Sequence, residues 1–355
     1  MIKYRLRALR ALMEEQGIDA LIINKLVHLQ YFSGFCGDDS NLVIFRDQAL
    51  LVTDSRYTEQ AEKEAKGFTV VRQEDGLWKK TAECMKESGA KTAGFEKNAV
   101  LYGTYERLTA LLEGVALKPV QLDELRQVKD DDEIACIRKA CEIADAAFRD
   151  ILNDIRPGIR ELDVAARLED CMRRLGSERP AFTTIVASGS RGSMPHGIAS
   201  EKLIVSGEFV TMDYGAVYQG YHSDITRTIC VGHADEKQHR IYEAVLEAQL
   251  EGLSHVKIGA SGKAVDEAAR SCLEKRGLAE YFGHGLGHSL GLEIHEEPRL
   301  SPKSTCEHLQ KNMLVTVEPG VYLPEWGGIR IEDTVLVTEN GGEPLTASPK
   351  HLIEV

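Results

Sequence analysis

The chain has 355 residues, 43% of them hydrophobic and 28% charged, with a formal net charge of -13. That length allows two ordinary domains with substantial cores, and the composition is globular rather than disordered. The acidic balance disfavours nucleic acid as a partner, since phosphates are bound by clustered Lys and Arg, and the lack of eighteen consecutive apolar residues excludes a membrane-spanning helix.

The N-terminus, MIKYRLRALRALMEEQG, is charged throughout and holds no apolar signal core. Eight scattered cysteines (Cys36, Cys84, Cys136, Cys141, Cys171, Cys230, Cys272, Cys306) form no CxxC pair, and most fall in apolar patterns where a thiol packs as a small hydrophobe. Both features imply a cytoplasmic protein. A helix is expected from about Tyr4 to Gln16, stopping at Gly17, with the strand DALIIN after it. Two β-rich runs, NLVIF and ALLVTD, flank the polar Arg46-Asp47-Gln48. A charged helix from about Arg56 to Lys66 ends at Gly67, before the strand FTVVRQ. KTAGFE and ALKPV read as further strands, each after a helical run, and Gly34 and Gly37 flank a turn that follows HLQYF. The alternation implies an α/β domain over residues 1–125, without a Gly-rich phosphate loop.

LDELRQVKDDDE marks a boundary, and its acids cap a long helix with apolar residues at Ile134, Ile137, Cys141, Ala144, Phe148, Ile151 and Ile155. Pro157-Gly158 is expected to stop that helix. From there the chain repeats itself at an offset of about a hundred residues. Gly158 to Gly176 encloses ELDVAARLEDCMRRL, as Gly259 to Gly277 encloses KAVDEAARSCLEKR. FVTMDYGAVYQGYHSDITRTICV then matches LVTVEPGVYLPEWGGIRIEDTVLV, each a strand, turn and strand with one acid late in the first strand and another early in the second. Two pseudo-symmetric halves are implied.

In the first pair, Asp213 and Asp224 lie opposite or one diagonal apart about a turn near Tyr218-Gln219-Gly220, on one face in either case. Carboxylates so close repel unless a cation lies between them. In the second pair, Glu318 ends an apolar strand, Glu332 shares a face with Arg330, and Asp333 points the other way. Packed symmetrically, the four acids converge. FGHGLGHSLGLEIHEEP supplies His284, His288 and His295, and its glycines argue against a helical HExxH site. His196 stands between Pro195 and Gly197, whereas His28, His233, His239, His255, His308 and His351 have no such setting.

The ordered set MDYGA, SDITRT, GHSLGLEIHEEP, TVEPG and GIRIED resembles the pita-bread metallopeptidases, in particular their Xaa-Pro dipeptidase and aminopeptidase P branch. The resemblance implies an α+β pita-bread catalytic domain with pseudo-two-fold halves over residues 130–355, preceded by a creatinase-type N-terminal domain. It implies Asp213, Asp224, His288, Glu318 and Glu332 as ligands of two divalent ions, with none substituted. His196 and His295 resemble the histidines flanking the substrate carbonyl, His284 an additional substrate-side histidine, and Arg330 an arginine bracing the site. The hard donor set favours manganese, with cobalt or zinc as substitutes. A hydroxide shared by two such ions would attack the scissile carbonyl, Glu318 relaying a proton to the prolyl nitrogen. The expected substrates are short proline-containing peptides, with no nucleic acid or membrane partner and a homodimeric assembly. A dipeptidase is preferred because the chain is compact. The alternatives are an aminopeptidase P acting on longer peptides and a non-catalytic peptide-binding module of the same fold. A methionine aminopeptidase is disfavoured by the N-terminal domain, and a creatinase-like hydrolase by the complete ligand set.

Overall fold

A computed structural model describes all residues, 1–355. It divides into two compact units, Met1–Arg126 and Gln127–Val355. No helix is long and apolar enough to cross a membrane.

The first unit carries β1 (Ala20–Ile23), β2 (Asn41–Phe45), β3 (Ala49–Thr53), β4 (Thr69–Arg72), β5 (Thr92–Glu96) and β6 (Ala116–Val120) in one sheet of order β4-β3-β2-β1-β5-β6. β1 and β2 are buried along their whole length, as continuous apolar runs such as ALII and NLVIF require. Its helices are α1 (Ile2–Glu15), α2 (Leu26–Ser33), α3 (Thr58–Glu64), α4 (Leu77–Glu87) and α5 (Tyr102–Leu111). The turn after HLQYF is the end of α2, closed by Gly34 in the left-handed region. The helix itself escapes the sequence pattern because its face is buried almost all round, at His28, Leu29, Tyr31, Phe32 and Ser33. His28 is buried between two acids, Nδ1 on Glu96 and Nε2 3.4 Å from Asp123. Burial opposes its charge, but the carboxylates of Asp123 and Glu96 outweigh that and hold its pKa above the ordinary value.

The second unit opens with α6 (Asp131–Ile151), started by a capping box between Asp130 and Glu133. It ends six residues before Pro157, earlier than the expected stop. There Asn153 Nδ2 donates to the carbonyls of Arg149 and Asp150, taking acceptors the next turn would use. α7 (Glu161–Arg174) follows, then β7 (Ile185–Ser188), β8 (Phe209–Tyr214), β9 (Val217–Tyr218), β10 (Tyr221–His222) and β11 (Ile225–Cys230). These pack over a core of Phe148, Leu168, Met212 and Ile225. α8 (Glu236–His255) and α9 (Gly262–Lys275) repeat the helix pair, α9 matching the 14 residues of α7. The second half continues with β12 (Gly287–Ser289), β13 (Glu296–Leu300), β14 (Leu314–Val317), β15 (Gly320–Leu323), β16 (Gly327–Arg330), β17 (Asp333–Thr338) and β18 (Gly341–Pro344). It has its own core, including Val245, Leu286, Val315 and Ile331.

Register carries the repeat into function. β8 and β11 pair with Asp213 opposite Thr226, so Asp224, two residues earlier, is its diagonal neighbour on the same face. The same register runs into β9 and β10, closing on Gln219 and Gly220 at φ 50° and 81°, a turn that needs positive φ at both positions. In the second half Val317 pairs with Asp333 and Gly320 with Arg330, which brings Glu318 and Glu332 face to face where the ladder is interrupted. Asp224 and Glu332 each stand immediately before the returning strand. The halves join where Glu332 N donates to Thr226 O and Arg330 N to Thr228 Oγ1.

Candidate metal centre

Where the two strand pairs meet, ligand atoms of Asp224, His288 and Glu332 lie within 4.8 Å of one another, all three residues buried. His288 Nδ1 is 3.0 Å from the Ser289 carbonyl oxygen, which can only accept, so the proton sits there and Nε2 is bare. That Nε2 is 3.5 Å from Asp224 Oδ2 and 3.4 Å from Glu318 Oε1. Asp213 completes the group from β8: its Oδ2 accepts from Arg330 Nη2 at 2.6 Å, while its buried Oδ1 has no hydrogen-bond partner. All five expected ligand residues thus line one cavity of about 950 Å³.

The electrostatics are those of crowded acids. Burial first, then Glu332, Asp213 and Glu318, push Asp224 well above the ordinary carboxylate range. Glu332 rises in the same way through burial and the charges of Glu318 and Asp213. Burial lifts Glu318 to about 7, against the pull of Arg330. His288 is pushed down to about 3 by burial and by His295, whose ring centroid is 4.4 Å away. A neutral imidazole, four carboxylates and an orphaned buried oxygen suit divalent cations, which would remove the mutual repulsion. The donor set fits the metal.

Side chains around the acids hold their rotamers. Thr226 Oγ1 donates to Glu332 Oε2 at 2.7 Å, and Thr316 Oγ1 to Glu318 Oε1 at 3.0 Å. Buried Arg330 also reaches Thr226 Oγ1 through Nε and Tyr322 Oη through Nη1, at 3.1 and 2.7 Å. Tyr322 Oη lies 2.8 Å from His284 Nε2, while His284 Nδ1 is 2.8 Å from the Gly285 carbonyl oxygen. His284 is therefore neutral, with both nitrogens engaged by protein atoms, and burial pushes it down to about 4. Behind the site, Arg227 and Asp333 face away from it and bond each other, Gln249 and Lys350 adding to Asp333. His196 and His295 stand exposed at the cavity wall, and burial followed by Arg299 lowers His295. Phe182, Ile185, Pro195, Ile198 and Ile294 supply apolar lining.

Sequence reasoning passed over several of these groups. Thr226 shares a face with Asp224 by its period of two and was findable on that ground. Tyr322 carried no local signal. His222 stands two residues before Asp224, buried, with Nδ1 donating to the Gly291 carbonyl at 3.0 Å. Arg299, cross-strand from His288, lines the same cavity.

Comparison with known proteins gives a consistent picture. Residues 135–339 match the model of metallopeptidase family M24, and residues 5–128 that of the creatinase/prolidase N-terminal domain. The chain is 41% identical to the Xaa-Pro dipeptidase of Pyrococcus furiosus, covering 99% of this chain and 100% of that one. Among solved structures, an Xaa-Pro dipeptidase from Bacillus anthracis superposes with a TM-score of 0.97 at 42% identity, over 100% of both chains. An X-Pro aminopeptidase from Thermotoga maritima gives 0.91 at 38% identity, over 96% of this chain and 98% of that one.

Proposed function

This chain belongs to metallopeptidase family M24, and on that footing we propose that it hydrolyses the Xaa-Pro bond of dipeptides. The observation that carries the reading is the group of four carboxylates and one bare imidazole nitrogen in the floor of the cavity. Asp213, Asp224, His288, Glu318 and Glu332 would hold two divalent ions, for which manganese is the choice of so oxygen-rich a set. Bound there, the ions supply Lewis acidity at the scissile carbonyl and acidify water at neutral pH.

The remaining work falls to the chain's own groups. Glu318 carries a proton from the attacking water to the leaving prolyl nitrogen, which needs one to depart as an amine. His196 and His295 donate to the oxygen on which charge develops. Arg330 fixes Asp213 and Tyr322, and His284 borders the substrate while holding Tyr322 from the other side. The apolar wall receives a pyrrolidine ring without asking for a donor, as the imide has no N–H.

Arg299 favours a dipeptidase. Its one charged contact at the strand, Glu297, is a loose 3.7 Å, and its side chain is 43% exposed. It is thereby available to the carboxylate that ends an Xaa-Pro dipeptide, where a longer peptide presents a neutral amide. The likeness to an X-Pro aminopeptidase keeps a second reading, release of an N-terminal residue from longer peptides, in play. Either activity takes place in solution on short proline-containing peptides, with a homodimer as the expected assembly. Rates on Ala-Pro, Ala-Pro-Ala and Met-Ala-Ser with manganese present test the assignment. Ala-Pro should be cleaved fastest. Faster cleavage of Ala-Pro-Ala would make it an aminopeptidase, and faster cleavage of Met-Ala-Ser would refute the proline reading.

A further inference from the structure

His196 is exposed, on a loop between Pro195 and Gly197. Both ends of the loop converge on one buried carboxylate. Glu161, at the start of α7, is 0% exposed. Its Oε1 accepts from Ser188 N and Oγ at 2.7 and 2.8 Å. Its Oε2 accepts from Arg191 Nε, Ser200 N and Ser200 Oγ at 2.9, 3.1 and 2.6 Å. Ser188 and Ser200 are the two ends of the loop. Their hydroxyls are turned toward Glu161 because Lys202 occupies their other side, Nζ donating to Ser188 Oγ and N to Ser200 Oγ.

Arg191 extends the grip past the histidine. Its Nη2 donates to the Ile198 carbonyl at 2.5 Å, two residues beyond His196. At the same time the loop lies backbone on backbone against β16: a Cβ on Gly192 would come 2.9 Å from Gly328 N, and one on Gly328 2.0 Å from Gly192 O. Gly328 is two residues from Arg330, so the loop is referenced directly to the site. A carboxylate in the first turn of a helix is favoured by the helix dipole alone. That account requires neither complete burial nor five donors drawn from one loop.

We propose that Glu161 is a positioning residue of this enzyme, closing the 188–200 loop so that His196 meets the substrate. The inference rests on the reading of His196 as a substrate-facing donor. Glu161→Gln keeps the size but turns an amide NH2 onto part of the donor set.

A double-mutant cycle with His196→Ala tests it. Glu161→Gln should lower kcat/KM on Ala-Pro by about tenfold to a hundredfold, the scale of a small misplacement near the chemistry, with metal content unchanged. In the His196→Ala background the same substitution should change the rate by less than about twofold, because its partner is already gone. Amide exchange over 189–200 should accelerate in Glu161→Gln whether or not metal is bound. Ser200→Ala removes the 2.6 Å bond to Glu161 together with the bond from Lys202 N, and should show the same dependence on His196, which covers failure of the Gln variant to fold. Equal losses in both backgrounds would overturn the inference while leaving His196 in its role, as would an unchanged rate in both single variants. A His196→Ala enzyme working at the wild-type rate would overturn the reading of His196, and this inference with it.

Discussion

Replacing Glu318 by Gln in chelated protein should stabilise the fold, and should do so only at higher pH. The carboxyl is held at about 7 against an ordinary 4.5, chiefly by burial. The folded state therefore keeps its proton where the unfolded state has released it. Stability is lost as pH rises from about 4.5 towards 7, at 1.36 kcal/mol per pH unit, or about 3 kcal/mol in all. Asp224 and Glu332 contribute in the same direction. Gln removes the Glu318 share and keeps an acceptor for Thr316 Oγ1. For a unit of this size about 3 kcal/mol corresponds to roughly 6–12 °C in Tm. Thermal scans in a strong chelator at pH 5 and pH 8 are the assay. The variant should melt well above wild type at pH 8 and close to it at pH 5. With manganese restored the order should reverse, since the carboxylate then serves a cation. Identical profiles for the two proteins at both pH values in chelator would refute the crowding of acids on which the site is built.

Ligand and donor roles should separate on substitution. Asp224→Asn and Glu332→Gln should lower metal content together with rate, while His196→Ala and His295→Ala keep the metal and lose roughly tenfold to a thousandfold in turnover, as elemental analysis and steady-state kinetics would record. Arg299→Met should raise KM for Ala-Pro by about tenfold or more, the loss of a charge-assisted bond, and leave Ala-Pro-Ala nearly unaffected. Lys129 Nζ is buried 3.1 Å from both Glu296 Oε2 and Ser289 Oγ. Lys129→Met should therefore cost about 3–5 kcal/mol in urea unfolding, partly recovered by adding Glu296→Gln.

The acids were legible because strand geometry is simple. A period of two and a turn at Gln219-Gly220 suffice to put Asp213 and Asp224 on one face, and Asp333 opposite to Glu332, as observed. The matched helices of the two halves were equally visible, since glycines with positive φ bracket both: Gly158 and Gly176, then Gly259 and Gly277. What stayed hidden depends on distance in space. Tyr322 joins Arg330 to His284 across 38 residues of chain, and Glu161 reaches Ser200 across 39. No periodicity records such pairs. The end of α6 was misplaced for a related reason, because Asn153 stops the helix through a side-chain bond that proline rules do not contain. α2 was missed because burial on nearly every side erases the amphipathic pattern.

The central claim is that Asp213, Asp224, His288, Glu318 and Glu332 form one two-ion site that hydrolyses Xaa-Pro dipeptides. Manganese titrated into chelated protein, with Ala-Pro hydrolysis and bound metal followed together, tests it most directly. Activity should be absent without metal and should reach its plateau at two ions per chain. Full hydrolysis by protein shown by elemental analysis to be metal-free would contradict it.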